Sequence, residues 1–175
     1  MNARYSIIFS LVLSFPLMSM EVDQKKTIVV FEEVKSMCSS IAKKANMDNF
    51  KPDLLIGIAR GGLIPLAILA GEPLFNNRNV TTMSVESYDD KGKQKKLKFR
   101  FLVPTDAYKA YKSILVVDDI ADTGETLRKV TELLKENLPA ATIKSAVLFY
   151  KPASTFKPDY YAEQTTKWIV FPWEI

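Results

Sequence analysis

The chain has 175 residues, of which 47% are apolar, 25% charged and 11% aromatic, a composition that fits one globular domain and excludes a low-complexity protein. Lysine and arginine exceed aspartate and glutamate by 24 − 20 = 4, which favours anionic ligands but is too small to indicate a nucleic-acid-binding protein. The sequence has no histidine and one cysteine, Cys38, which excludes Ser-His-Asp and Cys-His catalysis, histidine-ligated zinc and an intramolecular disulfide. Any chemistry must therefore use carboxylates, backbone amides, lysine, arginine or a hard metal ion.

Residues 1–20 differ in character from the rest of the chain. A single charge, Arg4, precedes an apolar run over 7–18, which has the outline of a signal peptide but is too short to span a bilayer and lacks an A-x-A-like cleavage site. Three interpretations stay open for this extension: an export signal, a packed or membrane-touching segment, and an upstream start codon ahead of a chain that begins at Met18 or Met20.

Residues 21–175 contain neither an internal repeat nor a linker, so we expect one domain. The hydrophobic patterns predict helices over 31–46, 63–70 and 125–137, and strands over 54–59, 80–85, 97–103, 113–117 and 146–150. Cys38 lies on the apolar stripe of the first helix, which favours a core residue over a nucleophile. Buried strands that alternate with helices predict an α/β fold with a mostly parallel central sheet, in which ligands bind beyond the carboxyl ends of the strands.

The strongest chemical signal follows the strand over 113–117. Asp118 and Asp119 stand side by side at its end, and adjacent like charges are better suited to face hydroxyl groups or a cation than a core. The next residues, 121–126, are small and hydroxyl-rich and open a helix. Backbone N–H groups at that helix start, together with two threonine hydroxyls, predict a phosphate cradle, with Gly124 allowing close approach of the anion. Helix capping alone does not explain three aspartates within five positions.

A second unusual stretch, 91–100, contains six basic residues and no acidic one. It lies between two predicted strands, where a solvated loop is the usual explanation. RNA binding stays open as an alternative, although the stretch does not have the interleaved aromatic residues of a base-stacking platform. Its position favours a mobile lid that closes over an anionic ligand.

Four segments carry a resemblance to the type I phosphoribosyltransferases. The segment VVDDIADTGET (116–126) resembles their signature for 5-phosphoribosyl 1-pyrophosphate (PRPP). The subgroup similar to xanthine-guanine phosphoribosyltransferase is indicated by three further matches. IGIARGGLIP (56–65) resembles its pyrophosphate loop, SYD (87–89) with QKKLK (94–98) its catalytic loop, and KPA (151–153) with WIVFPWE (168–174) its purine-binding segments. The resemblance covers most of 25–175.

This resemblance implies the fold of that family, a mostly parallel sheet flanked by helices with a small C-terminal hood segment, and transfer of phosphoribosyl from PRPP to a 6-oxopurine in the cytoplasm. It implies Mg²⁺ as cofactor with Asp119 as a metal ligand, and a homodimer or homotetramer. The implied catalytic residues are Asp122, as general base, and Lys95, on the pyrophosphate, with Lys93 and Lys96 as alternatives. The implied PRPP-binding residues are Arg60, Gly61, Asp118, Asp119, Asp122, Thr123, Gly124, Glu125 and Thr126.

The implied purine-binding residues are Lys151, a donor to the 6-oxo group, Trp168, which stacks on the ring, and Ile169, whose backbone reads position 2. Val170 stands where a polar residue is expected, so the choice among guanine, xanthine and hypoxanthine stays open. Two other functions stay open as well: a PRPP-sensing regulator without catalysis, and an exported binding protein. A sensor needs no base pocket, so Lys151 and Trp168 favour the enzyme.

Overall fold

The computed structural model describes residues 26–76, 78–90, 93–101 and 108–174, with the backbone alone described for 86–90 and 93–101. The apolar extension of residues 1–20 lies outside this part of the chain. No helix within the described residues is long and apolar enough to cross a membrane.

Eight strands and three helices make up the described part of the chain. The strands are β1 (Lys26–Ile28), β2 (Leu54–Ala59), β3 (Asn79–Asp90), β4 (Lys93–Phe101), β5 (Ser113–Ala121), β6 (Thr142–Tyr150), β7 (Tyr160–Gln164) and β8 (Trp168–Val170). The helices are α1 (Phe31–Met47), α2 (Leu63–Gly71) and α3 (Glu125–Asn137).

Six strands form the central sheet in the order β4-β3-β2-β5-β6-β7. All neighbours in this sheet are parallel except β3 and β4, which are antiparallel. A separate parallel pair, β1 with β8, joins the two ends of the described chain. The predicted α/β class with a mostly parallel sheet is confirmed, and the C-terminal segment belongs to the small second sheet.

The side chains of alternate residues in the central strands belong to two apolar layers, one on each face of the sheet. This arrangement is expected for a sheet that is covered by helices on both sides. On β5, Leu115 and Val117 pack with α1 and α2, whereas Ile114 and Val116 pack with α3. Both faces of β5 are therefore occupied by core contacts up to Val117, and polar side chains begin at the next residue.

Helix α1 presents the predicted stripe to the core, with Val34, Met37, Cys38 and Ile41 buried. Burial, followed by the negative charge of Glu72, raises the pKa of the Cys38 thiol to about 12. A thiol that stays protonated inside a core is inert, which confirms Cys38 as a core residue.

The predicted loop over the lysine-rich stretch is wrong. Strands β3 and β4 form a long antiparallel hairpin, paired from Met83 with Phe101 to Asp90 with Lys93, with an irregularity after Tyr88. Two antiparallel strands can satisfy each other's backbone hydrogen bonds without an apolar face, and charged side chains are common on edge strands. The absence of an apolar pattern therefore did not exclude a strand here. Strands β5 and β6 are also longer than predicted, and β1, β7 and β8 were not predicted.

Candidate active site

The predicted site lies at the carboxyl edge of the central sheet. Strands β2 and β5 are parallel neighbours, with Gly57 opposite Val117, so the segments that follow their ends meet at this edge. Arg60 and Gly61 follow β2, and Arg60 is joined to Ala59 by a cis peptide bond. Asp118 and Asp119 form the end of β5 and are part of the strand rather than of the loop after it.

The two adjacent carboxylates of β5 line different cavities, because successive residues of a strand project to opposite faces. Asp119 lines a cavity of about 770 Å³ together with Arg60, Gly61, Leu63, Ile64, Trp173 and Glu174. Asp118 lines a smaller cavity of about 90 Å³ together with Ile120, Ala121, Asp122, Thr123, Gly124, Thr126 and Leu127. The predicted pyrophosphate loop thus shares one cavity with Asp119, and the predicted phosphate cradle shares the other with Asp118.

Gly61 is the point of closest approach between the loop after β2 and the end of β5. A Cβ atom at Gly61 would overlap the carboxylate of Asp119. The absence of a side chain therefore lets the backbone of this loop lie directly against the carboxylate, and no larger residue fits without displacing it.

Both carboxylates of β5 hold their protons more tightly than a carboxylate in water. Burial, and then the negative charge of Asp119, raises the pKa of Asp118 well above its usual range. Burial also raises the pKa of Asp119 to about 6, with a further contribution from Glu174, while hydrogen bonds from the Ile120 backbone and Trp173 oppose the rise. Such carboxylates are poised to gain from a cation or from hydroxyl donors.

Trp173 and Glu174 line the cavity of Asp119, whereas the sequence analysis included them in a purine-binding segment and gave neither residue a role of its own. The Trp173 ring stacks on Phe171 at 4.7 Å between centroids and meets Phe31 at 6.4 Å. Glu174 accepts a hydrogen bond of 3.0 Å from the Phe171 N–H, which folds the chain end back towards Asp119. The WIVFPWE segment contained this Trp-Glu pair, but the pair follows β8, a strand that the sequence did not predict and that pairs with β1.

The predicted phosphate cradle is the turn from β5 into α3. Gly124 adopts a left-handed conformation with φ of 76°, and α3 begins directly after it, with the Arg128 N–H donating to the Gly124 carbonyl at 2.9 Å. The Glu125 N–H donates to Thr123 Oγ1 at 3.4 Å, and the next N–H groups of the first helical turn point out of the helix start, as at helix starts that bind anions. Glu125 forms an ion pair of 2.7 Å with Lys129 and is half-exposed.

Three of the predicted base-binding and catalytic side chains meet beside this turn. Lys151 Nζ lies 3.0 Å from Asp122 Oδ1, and the same ammonium lies 5.7 Å from the centre of the Trp168 ring. Lys151 is 16% exposed and Asp122 is 55% exposed, whereas 59% of Trp168 is open to solvent. The three side chains therefore lie together, with most of the Trp168 ring open to solvent.

The two remaining predicted residues differ in what the structure describes. Ile169 is buried in β8 opposite Thr27, so its side chain belongs to the core and only its backbone is left for a ligand. Lys95 lies in β4, and its side chain, like those of Lys93 and Lys96, lies outside the described part of the structure.

Comparison with known proteins decides the family. The sequence model of the phosphoribosyl transferase domain matches residues 26–175. The chain belongs to the phosphoribosyltransferase family. A xanthine-guanine phosphoribosyltransferase of Idiomarina loihiensis is 33% identical over 123 residues, which cover 69% of this chain and 70% of that protein.

Solved structures support the same assignment for this phosphoribosyltransferase. A purine phosphoribosyltransferase from Pyrococcus horikoshii is 34% identical, with a TM-score of 0.73, over 86% of this chain and 95% of that one. A xanthine-guanine-hypoxanthine phosphoribosyltransferase from Helicobacter pylori is 27% identical, with a TM-score of 0.76, over 86% of this chain and 94% of that one. The resemblance identified from the sequence motifs is confirmed, and the chain is an enzyme of the glycosyltransferase class.

Proposed function

We propose that this enzyme transfers the 5-phosphoribosyl group of PRPP to guanine, xanthine or hypoxanthine and releases the nucleoside monophosphate and pyrophosphate. The observation that carries the proposal is the meeting of Asp122, Lys151 and Trp168 beside the turn that starts α3. A purine pocket built from a carboxylate, an ammonium and an aromatic face thereby adjoins a phosphate cradle. The purine names of the similar proteins support the same substrate class.

In this proposal the two cavities bind different parts of PRPP, the larger one the pyrophosphate and the smaller one the phosphate. Arg60 and the Gly61 amide bind the pyrophosphate in the larger cavity, since a guanidinium forms charge-assisted hydrogen bonds with phosphate oxygens. The backbone and hydroxyl groups of 123–126, including the helix start at Glu125, bind the phosphate at the smaller one. Asp118 and Asp119, at the end of the strand between them, bind the ribose hydroxyls.

The residues present fit a magnesium ion that is shared with the substrate. Among the described residues no group of three or more Cys, Asp and Glu side chains could hold a metal by itself. Mg²⁺ usually binds one or two carboxylates together with substrate phosphates and water, and Asp119 and Glu174 line one cavity with Arg60. Asp119, with Glu174 nearby, would hold the ion. Bound there, Mg²⁺ would neutralise negative charge on the pyrophosphate.

The chemical step breaks the bond between the anomeric carbon and the pyrophosphate oxygen and forms a bond from that carbon to a purine ring nitrogen. The proton of that nitrogen passes to the Asp122 carboxylate as the general base. Lys151 donates a hydrogen bond to the 6-oxo group, Trp168 stacks on the ring, and the backbone of Ile169 faces position 2. Arg60 stabilises the negative charge that grows on the leaving pyrophosphate.

The β3–β4 hairpin is proposed to close over the pyrophosphate and exclude water, with Lys95 on the leaving group and Lys93 or Lys96 as alternatives. The position of the hairpin supports this role. Its strand β3 is the neighbour of β2 in the sheet, and Arg60 directly follows the end of β2. We also propose that the enzyme acts in the cytoplasm, where PRPP is available, as a homodimer or homotetramer, and that residues 1–20 lie outside the catalytic domain.

One assay tests the proposed activity. The purified protein is incubated with PRPP and Mg²⁺ and with guanine, xanthine, hypoxanthine or adenine in turn, and nucleotide formation is measured. We expect product with at least one 6-oxopurine, little with adenine, and none after Mg²⁺ is removed by a chelator. Adenine as the best base would contradict the assigned pocket, and PRPP binding without any product would indicate a regulatory protein instead.

A further inference from the structure

The loops that follow β5 and β6 are tied together by three hydrogen bonds. The Lys151 N–H donates to the Ala121 carbonyl at 3.0 Å where the strands separate. Further out, the Thr155 N–H and the Thr155 hydroxyl both donate to the Thr123 carbonyl, at 2.9 and 3.0 Å. We call the loop after β6, residues 151–159, the purine-side loop. One of its residues, Thr155, therefore donates two hydrogen bonds to one carbonyl of the phosphate cradle.

The orientation of this carbonyl fixes the orientation of the next amide. The Thr123–Gly124 peptide is trans, and in a trans peptide the C=O and N–H groups point in opposite directions. Because Thr155 holds the Thr123 carbonyl towards the purine-side loop, the Gly124 N–H points away from that loop. Among the described residues this N–H has no hydrogen-bond acceptor. Gly124 lines the smaller cavity together with Thr123 and Thr126.

The same loop also packs against Gly124 itself. A Cβ atom at Gly124 would overlap Ser154 Oγ and would lie 2.8 Å from the Phe156 nitrogen. The Ser154 hydroxyl in turn donates a hydrogen bond to the Phe156 carbonyl at 2.8 Å. This bond within the loop fixes the segment that contacts Gly124. The peptide between Thr123 and Gly124 thus has a preferred orientation before any ligand binds.

We propose that Thr155 is a positioning residue for PRPP: it holds the Thr123–Gly124 peptide so that the Gly124 N–H faces the phosphate in the cradle. The inference rests on the proposed function, because it takes the phosphate of PRPP as the ligand of this turn. An amide that is oriented in advance costs less to order on binding, so Thr155 contributes to PRPP affinity without touching PRPP or the purine.

The test replaces the hydroxyl of Thr155 by a methyl group. Thr155→Val loses the side-chain donor and keeps the backbone one, whereas Thr155→Ser keeps both. Thr142→Val makes the same change at an exposed threonine at the other end of β6. For each variant and the unaltered protein, we would measure the dissociation constant of PRPP by tryptophan fluorescence, kcat and the KM of both substrates, and the thermal midpoint.

We expect Thr155→Val to raise the dissociation constant and KM of PRPP by about threefold to tenfold, the effect of one hydrogen bond, with kcat and the KM of the purine within about twofold. Thr155→Ser and Thr142→Val should match the unaltered protein. Unchanged PRPP binding in Thr155→Val, or an equal loss in Thr155→Ser, would overturn the inference. Weaker PRPP binding in a protein that forms no nucleotide would keep the role of Thr155 and overturn the proposed activity.

Discussion

Lys151 Nζ lies 3.0 Å from Asp122 Oδ1, across the two loops that follow the neighbouring strands β5 and β6. The pair joins the residue proposed to accept the purine proton to the residue proposed to recognise its 6-oxo group. The two side chains form an ion pair with each other while the pocket is empty. A 6-oxopurine presents an oxygen and a ring N–H to such a pair, so one base can engage both charges.

Asp122→Asn should lower turnover far more than it lowers PRPP affinity. A general base contributes about 10²–10⁴-fold to the rate, whereas the phosphate is proposed to be bound mainly by backbone amides. Steady-state kinetics together with direct PRPP binding measure the two effects separately. Glu136→Gln, which removes an exposed carboxylate near the far end of α3, is the control for the change in charge. Near-normal turnover in Asp122→Asn would remove Asp122 from the chemical step.

Lys151→Met should reduce kcat/KM for guanine, xanthine and hypoxanthine by at least about tenfold and leave that for adenine almost unchanged. Lysine has donors and no acceptor, so it pairs with a 6-oxo oxygen but opposes a 6-amino group. Asp122, at 55% exposure, is left to water in this variant, so its loss of a partner costs little. Lys157→Met, at an exposed position in the same loop, is the matched control. Unchanged activity of Lys151→Met on guanine, xanthine and hypoxanthine would contradict the assignment.

The parts of the fold that were predicted correctly depend on local patterns. Helix α3 and strand β2 have the predicted bounds, because each is a continuous periodic or apolar run with a clear start. The motif from Asp118 to Thr126 is also local, since a strand end and a helix start bring its groups together within a few residues. The geometry of that turn was therefore predictable from the sequence, whereas the binding roles of its residues stay predictions.

The features that were missed depend on contacts between distant segments. Strands β1 and β8 have three residues each and exist only as partners of one another, so neither has a pattern of its own. That pairing brings Trp173 and Glu174 to Asp119. The β3–β4 hairpin likewise follows from backbone pairing, which a charged sequence neither requires nor forbids.

A chain that begins at Met20 should fold and keep full activity. Every residue assigned to the site lies after it, the first strand of the described residues begins at Lys26, and the family match begins at the same residue. Expression of both forms, followed by comparison of solubility, thermal midpoint and nucleotide formation, checks this. If the shortened form were insoluble or inactive while the full-length form was active, the apolar extension would be part of the functional fold.

Asp48→Asn should destabilise the protein at pH 7, and this effect should shrink as the pH falls below the ordinary aspartate pKa of about 3.9. Asp48 accepts hydrogen bonds from Lys144 Nζ at 2.8 Å and from the Tyr160 hydroxyl at 3.1 Å, and these bonds, that of Lys144 first, lower its pKa. A carboxylate with a lowered pKa stabilises the fold above its unfolded pKa, about 3.9, and that stabilisation disappears as the pH falls through the folded value. Thermal midpoints of both proteins across this range measure it. A difference that does not shrink as the pH is lowered from 7 through the range where Asp48 becomes protonated in the folded protein would contradict the ionic origin.

Gly61→Ala and Gly71→Ala make the same chemical change in two different surroundings. At Gly61 the new Cβ atom would overlap the Asp119 carboxylate, whereas at Gly71, the last residue of α2, it would have no heavy atom within 4 Å. The carboxylate is the free end of a side chain and can turn aside, so Gly61→Ala should fold. Its cost should therefore appear in the function of Asp119 rather than in stability.

We expect Gly61→Ala to lower kcat/KM for PRPP by about 10- to 100-fold, because a displaced group at a reacting centre loses its alignment with the substrate. Its thermal midpoint should stay close to that of the unaltered protein. Gly71→Ala should keep full activity and gain up to about 1 kcal/mol in stability, since alanine favours a helix over glycine. Steady-state kinetics and thermal unfolding of both variants check this. Full activity in Gly61→Ala would show that the contact between Gly61 and the Asp119 carboxylate is not part of PRPP binding.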